Sequence, residues 1–134
     1  RDNPLKQQKK QLEKLLKKAK GTAFGQKYNF EQMLENSDVY AAFKTSVPVY
    51  NYNSMYAEWW HRCLEGEKDV CWPGKVSYFA LSSGTSESAS KHIPVTHDMQ
   101  NAIKNAGVRQ LISLHRHFGV SADTLTRGAL MLGG

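Results

Sequence analysis

The sequence predicts an α/β protein, in α+β form over its 134 residues: helices with a few short strands and an incomplete sheet. Three observations predict it. Apolar residues recur at helical spacing near the start, in "PLKQQKKQLEKLLKKAK", and again in "HDMQNAIKNAGVRQLISLHRHFG". The runs "VSYFAL" and "KHIPVT" are short and hold β-branched or aromatic residues, as strands do. A polar stretch, "SSGTSESASK", separates those two runs. The composition, 40% hydrophobic and 22% charged, is that of one ordinary soluble globular unit long enough to bury a core. No stretch of apolar residues is long enough to span a membrane, and the polar, basic start "RDNPLKQQKK" is not a signal peptide.

In chain order, a basic helical lead-in over about residues 4–20 carries one apolar stripe of Leu5, Leu12, Leu15, Leu16 and Ala19. "KGTAFGQKYNF" holds two glycines and reads as a break. "NFEQMLENSDVYAAF" has helical spacing at Phe30, Met33, Leu34 and Tyr40, in two short pieces around Asn36 and Ser37. "KTSVPVYNYNS" reads as extended, because Pro48 disfavours helix at Val47. Ser54 is the expected N-cap of "MYAEWWHRCLEGEKD", with Met55, Trp59 and Leu64 on one side and Trp60 and Cys63 beside it. "VSYFAL" reads as a buried strand, and Pro94 confines "KHIPVT" to an edge or strand end. Thr96 is the expected cap of a long helix over about 97–119, with Asp98 in its first turn, a bend at Gly107 and a C-terminal stop at Gly119. Met99, Ala102, Ile103, Ala106, Leu111, Ile112, Leu114 and Phe118 would form its buried face. "RGALMLGG" reads as a further buried strand opening toward more protein.

The net charge of +6 is not spread evenly. Residues 1–27 hold nine Lys or Arg against two acids, a net of +7, so the rest of the chain nets −1. The basicity thus belongs to one helix and its exit, and the expectation is a surface helix docked through its leucines. Nucleic-acid or membrane-surface binding is the weaker reading, since no aromatic residue interleaves the lysines and no arginine is placed for base edges. Cys63 and Cys71 form no CxxC pair and read as reduced thiols of a cytosolic protein. His115 and His117, two apart, fall on different helical faces and make a poor zinc pair, while His92 and His97 read as surface or satisfied residues. Arg109 and Arg116 share a face that reads as solvated. Trp59, Trp60, Tyr50, Tyr52 and Tyr56 read as core and edge packing.

Six of the ten residues of "SSGTSESASK" are Ser or Thr. Gly84 permits positive φ and a close backbone approach to a ligand, exposing successive N–H groups. Ser82, Ser83, Thr85 and Ser86 offer short hydroxyls that suit phosphate oxygens, and Lys91 adds a compact positive charge on a flexible stem. Neither the Walker A spacing nor GxGxxG is present. Chemistry alone leaves a phosphate loop and a solvated serine turn both open.

"SSGTS" followed by Lys91 and then "IP" resembles the phosphate-binding loop of the adenylate-forming enzymes, the firefly-luciferase and acyl-CoA ligase superfamily. With "AKGTAFGQKYNF" and "FKTSVPVYNY" upstream and "LGG" at the end, the chain resembles the auxin-responsive acyl-acid amido synthetase family within it. The resemblance covers most of the chain in scattered blocks. It implies that residues 1–134 are a partial N-terminal (large) domain, with a phosphate-loop region at 76–96, and that the adenine site, most of the acyl pocket and a mobile C-terminal domain belong to the remainder of the parent chain. It implies ATP and Mg²⁺ as cofactors and a small-molecule carboxylic acid and an amine or amino acid as substrates, with no nucleic acid or membrane partner, in the cytoplasm. Ser82, Ser83, Thr85 and Ser86 would contact the phosphates, Gly84 would make the turn and Lys91 would meet the β- and γ-phosphates. No residue of this segment is expected to be a nucleophile, and the fragment alone is expected to be inactive.

One departure stands out. Where relatives carry one or two glycines after "SSGTS", this chain has Glu87 and Ser88. The carboxylate either points away, or helps hold Mg²⁺ through water, or weakens ATP binding. Two other classes of function stay open on the residues: a different adenylate-forming ligase, for acyl-CoA or aryl acids, and a non-enzymatic helical interaction module.

Overall fold

Helix termini leave backbone groups without intrahelical partners, and the way this chain satisfies them organises its first hundred residues. A computed structural model describes residues 3–82, 90–121, 123 and 124. Helix α1 (Pro4–Ala19) starts at Asn3, whose side chain accepts from the Leu5 N–H, with Pro4 in the first turn where its missing N–H costs nothing. At its far end Thr22, 1% exposed, donates its hydroxyl to the Ala19 carbonyl (2.7 Å) and accepts from the Gly25 N–H (3.1 Å). One side chain therefore closes α1 and caps α2 (Ala23–Lys27). The other free N–H groups of α2 are met from a distant loop: Ala23 N–H donates to Asp69 O and Phe24 N–H to Val70 O, both at 2.8 Å.

The two short helical pieces expected after this junction are α3 (Phe30–Glu35) and α4 (Val39–Ser46), the latter capped by Asp38 accepting from Ala41 N–H. Leu16, Ala19, Phe30 and Met33 form one core, with Leu12, Leu34, Ala42 and Phe43 packed against it. The stripe on α1 is narrower than its sequence suggests: Leu5 and Leu15 stay exposed, and Leu12, Leu16 and Ala19 make the contact with the core. A second core gathers Trp59, Cys63, Val70 and Val76. Phe24 and Tyr28 pack against both cores, so α2 is the joint between them.

Val47 is extended ahead of Pro48, as expected, although the helix before it runs on through Ser46. The next helix begins three residues earlier than its expected cap. Asn51 is the N-cap of α5 (Tyr52–Met55) and Ser54 is the third helical residue, the two completing a reciprocal capping box. A π-helical turn, Tyr56–Trp60, follows, closed by the His61 N–H bonding Tyr56 O, and leads into α6 (His61–Leu64). Cys63 is buried and Leu64 is exposed, reversing the expected roles. Four residues after Trp59 is the same helical face, and five is not.

Strands β1 (Tyr78–Ser82) and β2 (Lys91–Val95) form an antiparallel pair, in register from Tyr78↔Val95 to Ser82↔Lys91. This two-stranded sheet is not closed, so the mixed helix-and-strand class is α+β over the described residues. β1 is not the buried strand that "VSYFAL" predicts, since Tyr78 and Leu81 are 64% and 65% exposed. A continuous apolar run signals a strand covered on both faces, and among the described residues Tyr78 and Leu81 are left largely uncovered. Pro94 sits opposite Phe79 in β2, which has no second strand beside it among the described residues, consistent with its edge role.

The chain divides into two units, Arg1–Thr96 and His97–Gly134. The second is led by α7 (His97–Phe118), an unbroken helix that passes through Gly107 without ending. Gly119 follows it at φ 65°, and the His115 Nδ1–H donates to the Val120 carbonyl at 2.7 Å, satisfying an acceptor beyond the last turn. The buried face expected on α7 is absent: none of its residues is buried. Helical spacing marks a face fit for burial without supplying what buries it, and the described part of this unit is little more than the helix itself. The strand expected at "RGALMLGG" lies outside the described residues.

Candidate functional site

Of the six residues assigned to a phosphate loop, two fall in the hairpin. Ser82 ends β1, Lys91 begins β2, and the two are paired across the strands. Ser83, Gly84, Thr85 and Ser86 lie outside the described residues, as do Glu87 and Ser88. The serine-rich stretch therefore spans the open end of a hairpin whose last rung holds a half-buried hydroxyl opposite an exposed ammonium.

The base of that turn is tied to α5. The His92 N–H donates to the Tyr52 hydroxyl at 2.9 Å, and the Lys91 ammonium lies 5.2 Å from the centre of the Tyr52 ring, within cation–π range. The ring itself is held from two sides. It stacks on Tyr56, with centroids 5.8 Å apart and planes at 22°, and meets Trp60 edge-on at 5.9 Å. Tyr52 is the first residue of its helix, so the Asn51–Ser54 capping box fixes the backbone from which the ring projects. The packing role expected for Tyr52 is present in its contacts with Tyr56 and Trp60, and the structure adds its bonds to β2. The one signal that bears on it is the capping pattern "NYNS", misplaced by three residues.

A second polar cluster lies beneath α2. The Tyr50 hydroxyl shares a hydrogen bond with that of Tyr28, donates to Glu58 Oε2 at 3.0 Å and accepts from Trp59 Nε1 at 3.2 Å. Lys27 donates to the same Glu58 oxygen at 3.0 Å and rides over the Trp59 ring at 5.1 Å. Burial first, and then the bond to Tyr28, push the Tyr50 phenol up to about 12. Hydrogen bonds from Lys27 and then Tyr50 hold the Glu58 carboxyl below its usual range. The two upstream blocks that carry the resemblance, "GTAFGQKYNF" and "VPVYNY", thus meet at the Tyr28–Tyr50 bond. Their job in this structure is to join the two cores.

Cys63 and Cys71 are both free thiols, as expected. They are nonetheless neighbours: the Cys71 thiol donates to Cys63, drawing the Cys63 thiol down to about 7, and the same bond with burial pushes Cys71 up. Arg62, held to Glu67 by two hydrogen bonds, adds a positive charge on that side. Among the described residues no three His, Cys, Asp or Glu side chains are arranged to hold a metal ion, and no helix is long and apolar enough to cross a membrane. On α7, His115 is engaged with the backbone carbonyl beyond the helix end, which accords with a satisfied histidine.

Comparison with protein families gives one result. The model of the "GH3 family N-terminal domain" matches residues 1–132, nearly the whole chain and every element described above. No curated protein and no solved structure gives a significant match. Matched from end to end in this way, the chain belongs to the GH3 family, which includes the auxin-responsive acyl-acid amido synthetases.

Proposed function

We propose that this chain is part of an ATP-dependent acyl-acid amido synthetase, and that its share of the work is to hold the nucleotide's phosphates. The observation that carries the reading is the family match over residues 1–132, together with a hairpin that ends on the Ser82–Lys91 rung where the serine-rich turn begins. In such an enzyme a carboxylate oxygen attacks the α-phosphorus of ATP, pyrophosphate leaves, and an amine then attacks the activated acyl carbon and releases AMP. The turn supplies no nucleophile to either step. Its backbone N–H groups and the hydroxyls of Ser82, Ser83, Thr85 and Ser86 position the polyphosphate, Gly84 makes the turn, and Lys91 offsets charge on the leaving pyrophosphate. Mg²⁺ bound with the nucleotide would supply further charge neutralisation at the phosphate oxygens, where it is commonly held by the phosphates and one or two carboxylates.

The test is carboxylate-dependent exchange of pyrophosphate into ATP by the full-length protein, across a panel of aliphatic, aryl and indole acids. Exchange that depends on one class of acid and falls at least tenfold in both Lys91→Ala and Ser83→Ala supports the reading; a tenfold loss corresponds to about 1.4 kcal/mol of transition-state binding. Exchange untouched by both substitutions would remove this loop from the chemistry. Absence of exchange that returns when glycine replaces Glu87 and Ser88 would show that these two residues restrain the turn.

A further inference from the structure

We infer that Tyr52 is a positioning residue for Lys91 as a phosphate contact: its ring holds the Lys91 ammonium and its hydroxyl anchors the start of β2. The inference rests on the reading that Lys91 meets the nucleotide's phosphates. It goes beyond that reading by assigning the geometry of the lysine to a residue thirty-nine positions earlier in the chain, on a different element.

Lysine is a poor choice for a fixed charge. Its four-carbon stem has many rotamers, and an exposed ammonium loses that freedom when it binds an anion. Lys91 is exposed and stands at the first position of β2, next to the turn. Here the freedom is already restricted. The ammonium lies 5.2 Å over the face of Tyr52, where the ring's negative quadrupole attracts it. The next residue is held as well, since the His92 N–H is directed to the Tyr52 hydroxyl at 2.9 Å. One side chain therefore fixes the strand by its tip and the lysine by its face.

The support is rigid in its turn. Tyr52 is stacked on Tyr56, braced edge-on by Trp60, and rooted in a capped helix start. A tyrosine that only filled space would need none of this alignment. An aromatic face also leaves the ammonium free to take a phosphate oxygen, because a ring attracts the charge without occupying its N–H donors. A carboxylate in the same place would compete with the phosphate for those donors.

The experiment is a double-substitution cycle in the full-length protein, read as KM for ATP and KM for the carboxylate in pyrophosphate exchange, with a thermal melt of each variant. Tyr52→Leu removes ring and hydroxyl, and Tyr52→Phe keeps the ring. With Lys91 present, Tyr52→Leu is expected to raise KM for ATP several-fold to tenfold, the range of a half-exposed cation–π contact. Tyr52→Phe should raise it less, and neither should move KM for the carboxylate. In a Lys91→Ala background the two Tyr52 variants should become equal, because nothing remains for the ring to hold.

Equal effects of Leu and Phe with Lys91 present, or a difference between them that persists without Lys91, would overturn the inference. An unchanged KM for ATP in Lys91→Ala alone would instead overturn the phosphate reading beneath it. Should Tyr52→Leu fail to fold, graded fluorination of the ring in Tyr52→Phe keeps its shape and weakens its negative face. KM for ATP must then climb with each fluorine, and a flat series would sink the proposal.

Discussion

Replacing Gly25 with alanine should destabilise the protein even though it puts a better helix former into a helix. Helix propensity favours alanine over glycine by about 1 kcal/mol in a helix interior. Against this, a Cβ on Gly25 would lie 2.1 Å from the Ala19 oxygen, 2.9 Å from the Ala19 carbonyl carbon and 3.0 Å from the Lys20 Cα. All three are backbone atoms, so no side chain can swing aside. Restoring the 3.4 Å at which ordinary contact begins means moving the end of α1 from the start of α2 by roughly 1.3 Å. The same carbonyl accepts from the Thr22 hydroxyl at 2.7 Å and the Thr22 N–H at 3.0 Å, and Thr22 also holds the Gly25 N–H.

Overpacking of this kind costs about 1–3 kcal/mol, and stretching two buried hydrogen bonds adds about 1 kcal/mol each. After the propensity gain the net loss is about 2–4 kcal/mol. For a unit of this size that lowers Tm by roughly 10–30 °C. The assay is a thermal melt followed by helical circular dichroism, with Gly21→Ala as the control. A Cβ at Gly21 meets nothing within 4 Å, so that variant should melt within a few degrees of the parent or slightly above it. A Gly25→Ala protein as stable as the control would refute the close approach at the α1–α2 junction.

Two further outcomes follow from the ionisable groups. The Tyr50 phenol is raised to about 12 in the fold, against about 10 in the unfolded chain, so the folded state favours its neutral form. That contribution is complete below pH 10 and disappears as pH rises from 10 to 12. Tyr50→Phe should therefore lower stability at neutral pH by about 1–3 kcal/mol, since it removes the hydroxyl that Tyr28, Glu58 and Trp59 share. It should also flatten the alkaline part of the stability curve, which urea melts at a series of pH values would show. At the thiol pair, Cys63 titrates near 7 because Cys71 donates to it. Thiolate absorbance should accordingly appear about two units below that of an ordinary thiol, and Cys71→Ala should move it back upward. Unchanged absorbance in that variant would mean that the thiols do not share a hydrogen bond.

Most of the helical order was legible in the sequence because local chemistry dictates it. The α3–α4 break at Asn36 and Ser37, the extended Val47 before Pro48 and the stop at Gly119 each follow from one residue's own backbone preferences. Legibility failed where the answer depends on partners far along the chain. The apolar run of β1 and the stripe of α7 read as buried, yet spacing cannot supply a covering surface. Ser54 and Asn51 are both good caps, and only the reciprocal bond between them decides which one starts the helix. The contacts of Tyr52 with β2 were invisible for the same reason: their partners come from some forty positions away. Gly25 looked like a break and is instead a contact point inside a helix.

The most direct test of the central claim is the fate of a carboxylate oxygen. The full-length protein would be given a substrate acid labelled with heavy oxygen in its carboxylate, together with ATP, Mg²⁺ and an amino acid, and the AMP analysed by mass spectrometry. Activation by attack on the α-phosphorus predicts one labelled oxygen in each AMP and pyrophosphate as the other product. Unlabelled AMP, or ADP and phosphate in its place, would contradict it.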